Sequence, residues 1–263
     1  AQTVLAARGM PVRWRFGRRE PLDLDRLASL VTPRTRMICV CNPHNPLGRC
    51  FTRDELTALG RFCTERGIRI LSDEIWSEIT YPPAAFTSML ALEPAVAANT
   101  VVVHGFSKSF ALAGLRIGYV AMADPAARAA MLERSEHPST VDGAATISQV
   151  AGAAAYDHAL PWLGAFLAHL RDRRDQCVAA LRAVPGIECE VPDSTYVAFA
   201  RLPASCGPVE EFVARLRERH GVAVVPGSPR WFGEGAAGHV RICFATSQGL
   251  LAEGLRRFAS GVA

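Results

Sequence analysis

Of the 29 lysine and arginine residues in this chain, only Lys108 is lysine. It lies in the stretch Thr100-Val-Val-Val-His-Gly-Phe-Ser-Lys108-Ser-Phe-Ala-Leu-Ala-Gly-Leu-Arg116-Ile-Gly118. The apolar, β-branched opening of that stretch predicts a buried strand. A small polar knot over residues 105–109 follows, then a short helical or turn segment with Gly114 near its end. Arginine can replace lysine in a surface ion pair, but it cannot serve as an amine nucleophile. The guanidinium stays protonated, whereas a desolvated ammonium can lose its proton. A lone lysine at a strand-to-loop junction therefore reads as a nucleophile rather than as a leftover surface charge.

The pattern around Lys108 repeats along the chain. Residues 36–41 form a continuous apolar strand, followed by the polar loop Asn42-Pro-His-Asn-Pro-Leu-Gly48. Thr52-Arg-Asp-Glu55 is a capping box that opens a helix through about residue 66, with Gly67 closing it. Residues 68–71 are the next strand and run into Ser72-Asp73-Glu74; residues 117–122 form another. A helix is expected over residues 22–30, starting at Asp23 or Asp25, and a strand over residues 11–16. Buried strands alternating with helices predict a largely parallel sheet covered on both faces.

Beyond Asp124-Pro125 the sequence predicts a helix, a break near His137-Pro138, and a long helical tract over residues 143–183 interrupted at Pro161. Strands near residues 196–202, 222–225 and 239–245, with helices near 209–220 and 249–259, predict a second, smaller α+β unit. The expected division is a partial large domain over residues 1–140, then an interdomain helix and small C-terminal domain over residues 141–263. The abrupt start, Ala1-Gln-Thr-Val-Leu-Ala-Ala-Arg-Gly9, reads as the tail of a helix. It predicts that this is the C-terminal portion of a longer protein.

Composition narrows the classes. A formal charge of +4 comes from arginines scattered among acids, as in Arg171-Asp-Arg-Arg-Asp175, and reads as solvated helix faces rather than a nucleic-acid groove. The eight cysteines contain no Cys-x-x-Cys pair and the seven histidines no metal-ligand spacing, which argues for reduced thiols in a cytoplasmic protein and against a zinc site. There is no apolar run long enough to span a membrane.

In an open α/β sheet, ligands sit beyond the carboxyl ends of the strands. Asn45, Asp73 and Lys108 each lie just past such an end. An amide, a carboxylate and an amine at three strand ends suit pyridoxal phosphate, which needs a lysine for its aldehyde, an acid for its pyridine nitrogen and hydrogen bonds to its phenolic oxygen.

These residues carry a family resemblance. The chain resembles the fold-type I pyridoxal-phosphate enzymes of the class I/II aminotransferase family. The match runs in order through Asn42-Pro-His-Asn45-Pro-Leu-Gly48, Ser72-Asp73-Glu74-Ile-Trp76, Phe106-Ser-Lys108 with Ala113-Gly-Leu-Arg116, and Arg241-Ile-Cys-Phe-Ala-Thr-Ser247. The resemblance implies an α/β large domain with a mostly parallel sheet, a smaller C-terminal α+β domain and a homodimer. It also implies that the family's N-terminal part has no counterpart here, including its phosphate-cradling glycine loop and its ring-stacking aromatic. By the same resemblance Lys108 is the Schiff-base lysine and acid–base group, Asp73 the partner of the pyridine nitrogen, and Asn45 the amide at the ring oxygen. Arg116 is then the phosphate-binding arginine, and Arg241 the arginine that takes the substrate carboxylate in a bidentate pair.

Two positions depart from the family pattern. Gly105 stands where many relatives have a phosphate-binding serine, and Trp76 where many have a tyrosine that bonds the ring oxygen. For the reaction, the resemblance implies amino-group transfer from an amino acid to a 2-oxo acid. His44-Asn45-Pro, Trp162-Leu163 with Arg174-Asp175, and Phe244-Ala-Thr-Ser247 also resemble the cystathionine β-lyase or C–S lyase branch. A third alternative is a regulatory protein that uses this fold as a sensor.

Overall fold

The computed structural model describes residue 5 and residues 8–135 and 143–262. Four strands, β1 (Met37–Cys41), β2 (Arg69–Asp73), β3 (Thr100–Gly105) and β4 (Gly118–Met122), form a first sheet in the order β1-β2-β3-β4. The first three are parallel and β4 returns antiparallel to β3. The register aligns Cys41 with Asp73 and Asp73 with Val103, so the loops after β1, β2 and β3 leave the sheet along one edge. Loops aligned in this way can converge on a single ligand.

Helices α1 (Leu24–Leu30), α2 (Arg53–Glu65) and α3 (Pro94–Ala98) pack against this sheet. The side chain of Asp23 caps α1 by accepting from Arg26 N, and Thr52 with Glu55 forms the reciprocal capping box of α2. Leu56, Leu59, Phe62 and Cys63 of α2 meet Ile68, Ile70, Met89 and Val96 in a buried cluster. Burying each large apolar side chain contributes about 1.5–3 kcal/mol.

The remainder opens with α4 (Pro125–Ser135), α5 (Thr146–His158) and α6 (Leu160–Arg182). The second sheet is antiparallel and ordered β5-β6-β8-β7, from β5 (Glu188–Cys189), β6 (Val197–Arg201), β7 (Val225–Pro226) and β8 (His239–Cys243). α7 (Val209–His220), the short α8 (Pro229–Phe232) and α9 (Gln248–Val262) complete it. Its core joins Leu170, Leu181, Phe212, Phe244 and Phe258, and it takes in Trp76, Ile79 and Tyr81 from the loop after β2. Backbone bonds from Tyr81 N to Asp193 O at 2.8 Å and from Thr195 N to Ile79 O at 2.9 Å fasten that loop to the second sheet. The segment that follows Asp73 is therefore a shared wall of both sheets.

Three expectations differ from what is observed. Residues 11–16 are not a strand: none of the described strands pairs with them, and Trp14 and Phe16 instead pack on the first core as an irregular segment. The helical tract breaks at Ala159, and Pro161 sits in the first turn of α6, where it has no intrahelical donor to lose. Of residues 222–225 only Val225 pairs in the sheet, as part of the two-residue β7. The break expected at His137-Pro138 lies outside the described residues, as does most of the N-terminal helix tail. No helix among the described residues is long and apolar enough to cross a membrane.

Candidate active site

Lys108 occupies the turn that follows β3, and Asp73 is the last residue of β2. Asn45 sits in the loop after β1, which is pinned at both ends. Asn42 N donates to Asp73 O at 2.9 Å, Asn42 Oδ1 accepts from Phe51 N at 3.0 Å, and Asp193 N donates to Gly48 O at 2.8 Å. Gly48 adopts φ +61°, and a Cβ there would meet Pro192 Cβ at 2.7 Å. Both the left-handed turn and the close approach of the second sheet require glycine at this position.

Arg241 comes from the other sheet. On β8 it lies in register with Phe199 of β6 and Val225 of β7, and its guanidinium stands 5.4 Å from the centre of the Phe232 ring. Arg241 Nη1 donates to Asn45 Oδ1 at 3.0 Å. Asn45, Lys108 and Arg241, drawn from three separate stretches, line one cavity of about 200 Å³ with Trp76, Tyr196 and Val224.

Lys108 makes no hydrogen bond or salt bridge with a described residue; its Nζ stands 5.3 Å from the centre of the Trp76 ring. Trp76 is buried and packs edge-on against Tyr196, with ring centres 4.5 Å apart. Asp73 accepts from Ile75 N at 3.2 Å. Burial raises its pKa, against the opposing pull of that bond and of the charges on His104 and Lys108. Burial also lowers the pKa of Arg241. A half-buried carboxylate and a half-buried guanidinium, neither fully compensated, are poised to take a partner of opposite charge.

Asp73 and Arg116 are not among the residues lining that cavity. Asp73 lies within electrostatic range of Lys108. Arg116 is exposed and holds a left-handed backbone, φ 52° and ψ 39°, at the end of the short 3₁₀ turn Ala113–Leu115. Gly105 is explained by packing. It pairs with Gly118 across β3 and β4, and a Cβ at Gly105 would stand 3.2 Å from Ile117 O.

Sequence reasoning missed a polar network behind Lys108. Ser109, its immediate neighbour, donates to Glu78 Oε2 at 2.6 Å. His104 Nε2 lies 3.1 Å from the same oxygen and 2.8 Å from Ser77 Oγ, and Tyr156 of α5 donates to Glu78 Oε1 at 3.4 Å. Burial opposes ionisation of Glu78, but the bonds from His104 and Ser109 outweigh it and hold the pKa at about 2. A histidine inside an apolar strand and an acid in an apolar turn were the available signals.

A second cavity, of about 350 Å³, is lined by Arg18, Arg19, Tyr81, Arg174 and Asp193. Its arginines already face acids: Arg18 is 2.8 Å from Asp193, Arg19 is 2.6 Å from Glu190 and Arg174 is 2.8 Å from Asp175. It lies apart from Lys108.

Residues 3–258 match the family model described as aminotransferase class I and II. The chain is 35% identical to an aspartate aminotransferase of Geobacillus stearothermophilus over 238 residues, covering 89% of this chain and 59% of that protein. An arginine–pyruvate transaminase of Pseudomonas aeruginosa is 33% identical, with 95% and 61% covered. The chain thus spans about 60% of the length of these curated relatives. Among solved structures, the N-succinyldiaminopimelate aminotransferase of Mycobacterium tuberculosis superposes with a TM-score of 0.87 at 29% identity, covering 98% of this chain and 67% of that one. A pyridoxal-phosphate-bound protein from Clostridium difficile 630 superposes with a TM-score of 0.86 at 28% identity, covering 92% and 62%.

Proposed function

Because the chain belongs to the class I and II aminotransferase family, we propose that it carries the cofactor lysine and the substrate arginine of a pyridoxal-phosphate-dependent aminotransferase. The reaction would move an amino group from an amino acid to a 2-oxo acid. The observation that carries this reading is the single cavity onto which Lys108, Asn45 and Arg241 converge from two sheets.

The residues fit pyridoxal phosphate. Lys108 offers an amine that forms no salt bridge with a described carboxylate, Asp73 offers a half-buried carboxyl with one backbone donor, and Asn45 offers an amide at the cavity wall. In this reading Lys108 holds the aldehyde carbon, Asp73 the pyridine nitrogen, Asn45 the ring oxygen and Arg116 the phosphate. When bound, the cofactor supplies an electron sink for charge that develops on the substrate α-carbon. The remaining work belongs to the chain. Lys108, beside the apolar face of Trp76, takes the α-proton and returns it, and Asp73 supplies the counter-charge. The planar guanidinium of Arg241 offers two parallel donors to the substrate α-carboxylate. Asn45, already bonded to Arg241, couples the cofactor end of the cavity to the substrate end.

The same reading assigns residues 1–140 to the cofactor-bearing unit and 141–263 to the interdomain helix and small domain. It also takes the protein to be a homodimer in the cytoplasm, where its eight free thiols stay reduced. The test is product identity. Incubation with 2-oxoglutarate and an amino acid other than alanine should give glutamate and the matching 2-oxo acid in equal amounts, without ammonia. Faster release of pyruvate, ammonia and a thiol from cystathionine would overturn the reading in favour of β-elimination.

A further inference from the structure

Glu78 gathers four pieces of the fold. It lies in the turn after β2, five residues beyond Asp73, and reaches His104 near the end of β3, Ser109 in the Lys108 turn and Tyr156 on α5. Ser109 is fully buried and His104 nearly so, leaving little water to replace these partners. His104 also stacks on Tyr119 of β4, with ring centres 5.0 Å apart, and Tyr119 OH lies 3.0 Å from Tyr156 OH. The network is continuous from β4 to the residue beside Lys108. Lys108 itself makes no hydrogen bond with a described residue, so the position of its amine depends on how firmly its turn is held.

We propose that Glu78 is a positioning residue for Lys108, acting through the bond from Ser109. This role presupposes that Lys108 is the cofactor lysine. The Lys108 turn, residues 106–109, is closed by backbone bonds to Phe106 O from Phe110 N and Leu112 N, and with no backbone bond from Ser107, Lys108 or Ser109 to a described residue its middle has several accessible conformations. A short hydrogen bond from a buried hydroxyl to a carboxylate selects one of them, because an ionic acceptor strengthens the bond and burial removes competing water. Glu78 touches neither substrate nor cofactor in this account. It fixes the residue next to the amine, and His104 and Tyr156 fix Glu78 in turn.

The test uses the full-length enzyme and reads cofactor attachment before it reads activity. The rate at which added pyridoxal phosphate becomes trapped on Lys108 by borohydride is measured without substrate, alongside kcat and KM. Glu78→Ala and Ser109→Ala should each slow attachment and lower kcat by roughly ten- to a hundredfold, the scale of misplacing a reacting group by about 1 Å. KM for the amino acid should stay unchanged, because Asn45 and Arg241 are untouched. The double variant should be no worse than either single one, since both remove the same bond. Glu78→Gln, which keeps an oxygen acceptor for Ser109, should be milder than Glu78→Ala; if the alanine variant does not fold, Ser109→Ala and Glu78→Gln carry the comparison. Wild-type attachment rates in the variants, or losses that multiply in the double variant, would overturn the proposal while leaving Lys108 as the cofactor lysine. A wild-type protein that traps no cofactor on Lys108 would overturn the assignment beneath it as well.

Discussion

Arg241 and Asn45, 196 positions apart in the chain, are joined by a 3.0 Å hydrogen bond from Nη1 to Oδ1. One belongs to the antiparallel second sheet, the other to the loop after the first strand of the parallel sheet. Both residues line the cavity that Lys108 also lines, and among the described residues the bond uses only one of the five guanidinium donors. The others remain for a carboxylate.

Replacing Arg241 with lysine should therefore weaken amino-acid binding by roughly 1.5–3 kcal/mol, the range for a hydrogen bond to a charged group. Cofactor absorbance should not change, and amines lacking a carboxylate should bind as before. Titrating both ligand types into the variant checks this. Loss of cofactor with unchanged amino-acid affinity would reverse the roles given to Arg241 and Arg116.

Glu78 should leave a signature in the pH dependence of stability. Its pKa in the fold is about 2, below the ordinary 4.5, so the native state binds fewer protons than the unfolded one between those values. The stabilisation is fully present above about 4.5 and is lost as pH falls through about 2. Glu78→Gln removes the ionisation, so the stability gap to wild type should be constant near neutrality and shrink as pH drops below about 4.5. His104, Tyr156 and Tyr119 are titratable groups that interact with the carboxylate and should be followed in the same denaturant titrations. A gap independent of pH over that window would contradict the pairing.

What was legible in the sequence was local. The Thr52–Glu55 capping box forms as its spacing requires, and α7 covers the residues 209–220 expected for it. The strand ends bearing Asn45, Asp73 and Lys108 were legible because apolar runs stop abruptly at polar loops. The Glu78 network was not legible, because its bonds join residues 26, 31 and 78 positions apart. Residues 11–16 misled for the opposite reason: their composition suits a strand, but pairing is a property of neighbours that local pattern does not reveal. Trp76 shows both sides. Its place after Asp73 could be read, but not its double duty as a core residue of the second sheet and a wall of the Lys108 cavity.

Gly118 offers a packing test close to the site. A Cβ added there would stand 2.5 Å from His104 O, a backbone atom that cannot swing aside. Gly118→Ala should destabilise the fold by about 1–3 kcal/mol, as overpacking does. The displaced end of β3 should also slow cofactor attachment at Lys108. Gly114→Ala is the control, since no atom of a described residue lies within 4 Å of its added Cβ. Urea unfolding of the pair gives the comparison, and equal midpoints would contradict the close approach of β3 and β4.

The central claim is that Lys108 holds the cofactor, and the chain's having a single lysine makes it directly measurable. The full-length protein is loaded with pyridoxal phosphate, reduced with borohydride, digested and mapped by mass spectrometry. One phosphopyridoxyl adduct is expected, on the peptide containing Lys108, with its loss in Lys108→Ala and the fold retained. No adduct on that peptide, or an undiminished adduct elsewhere in Lys108→Ala, would contradict it.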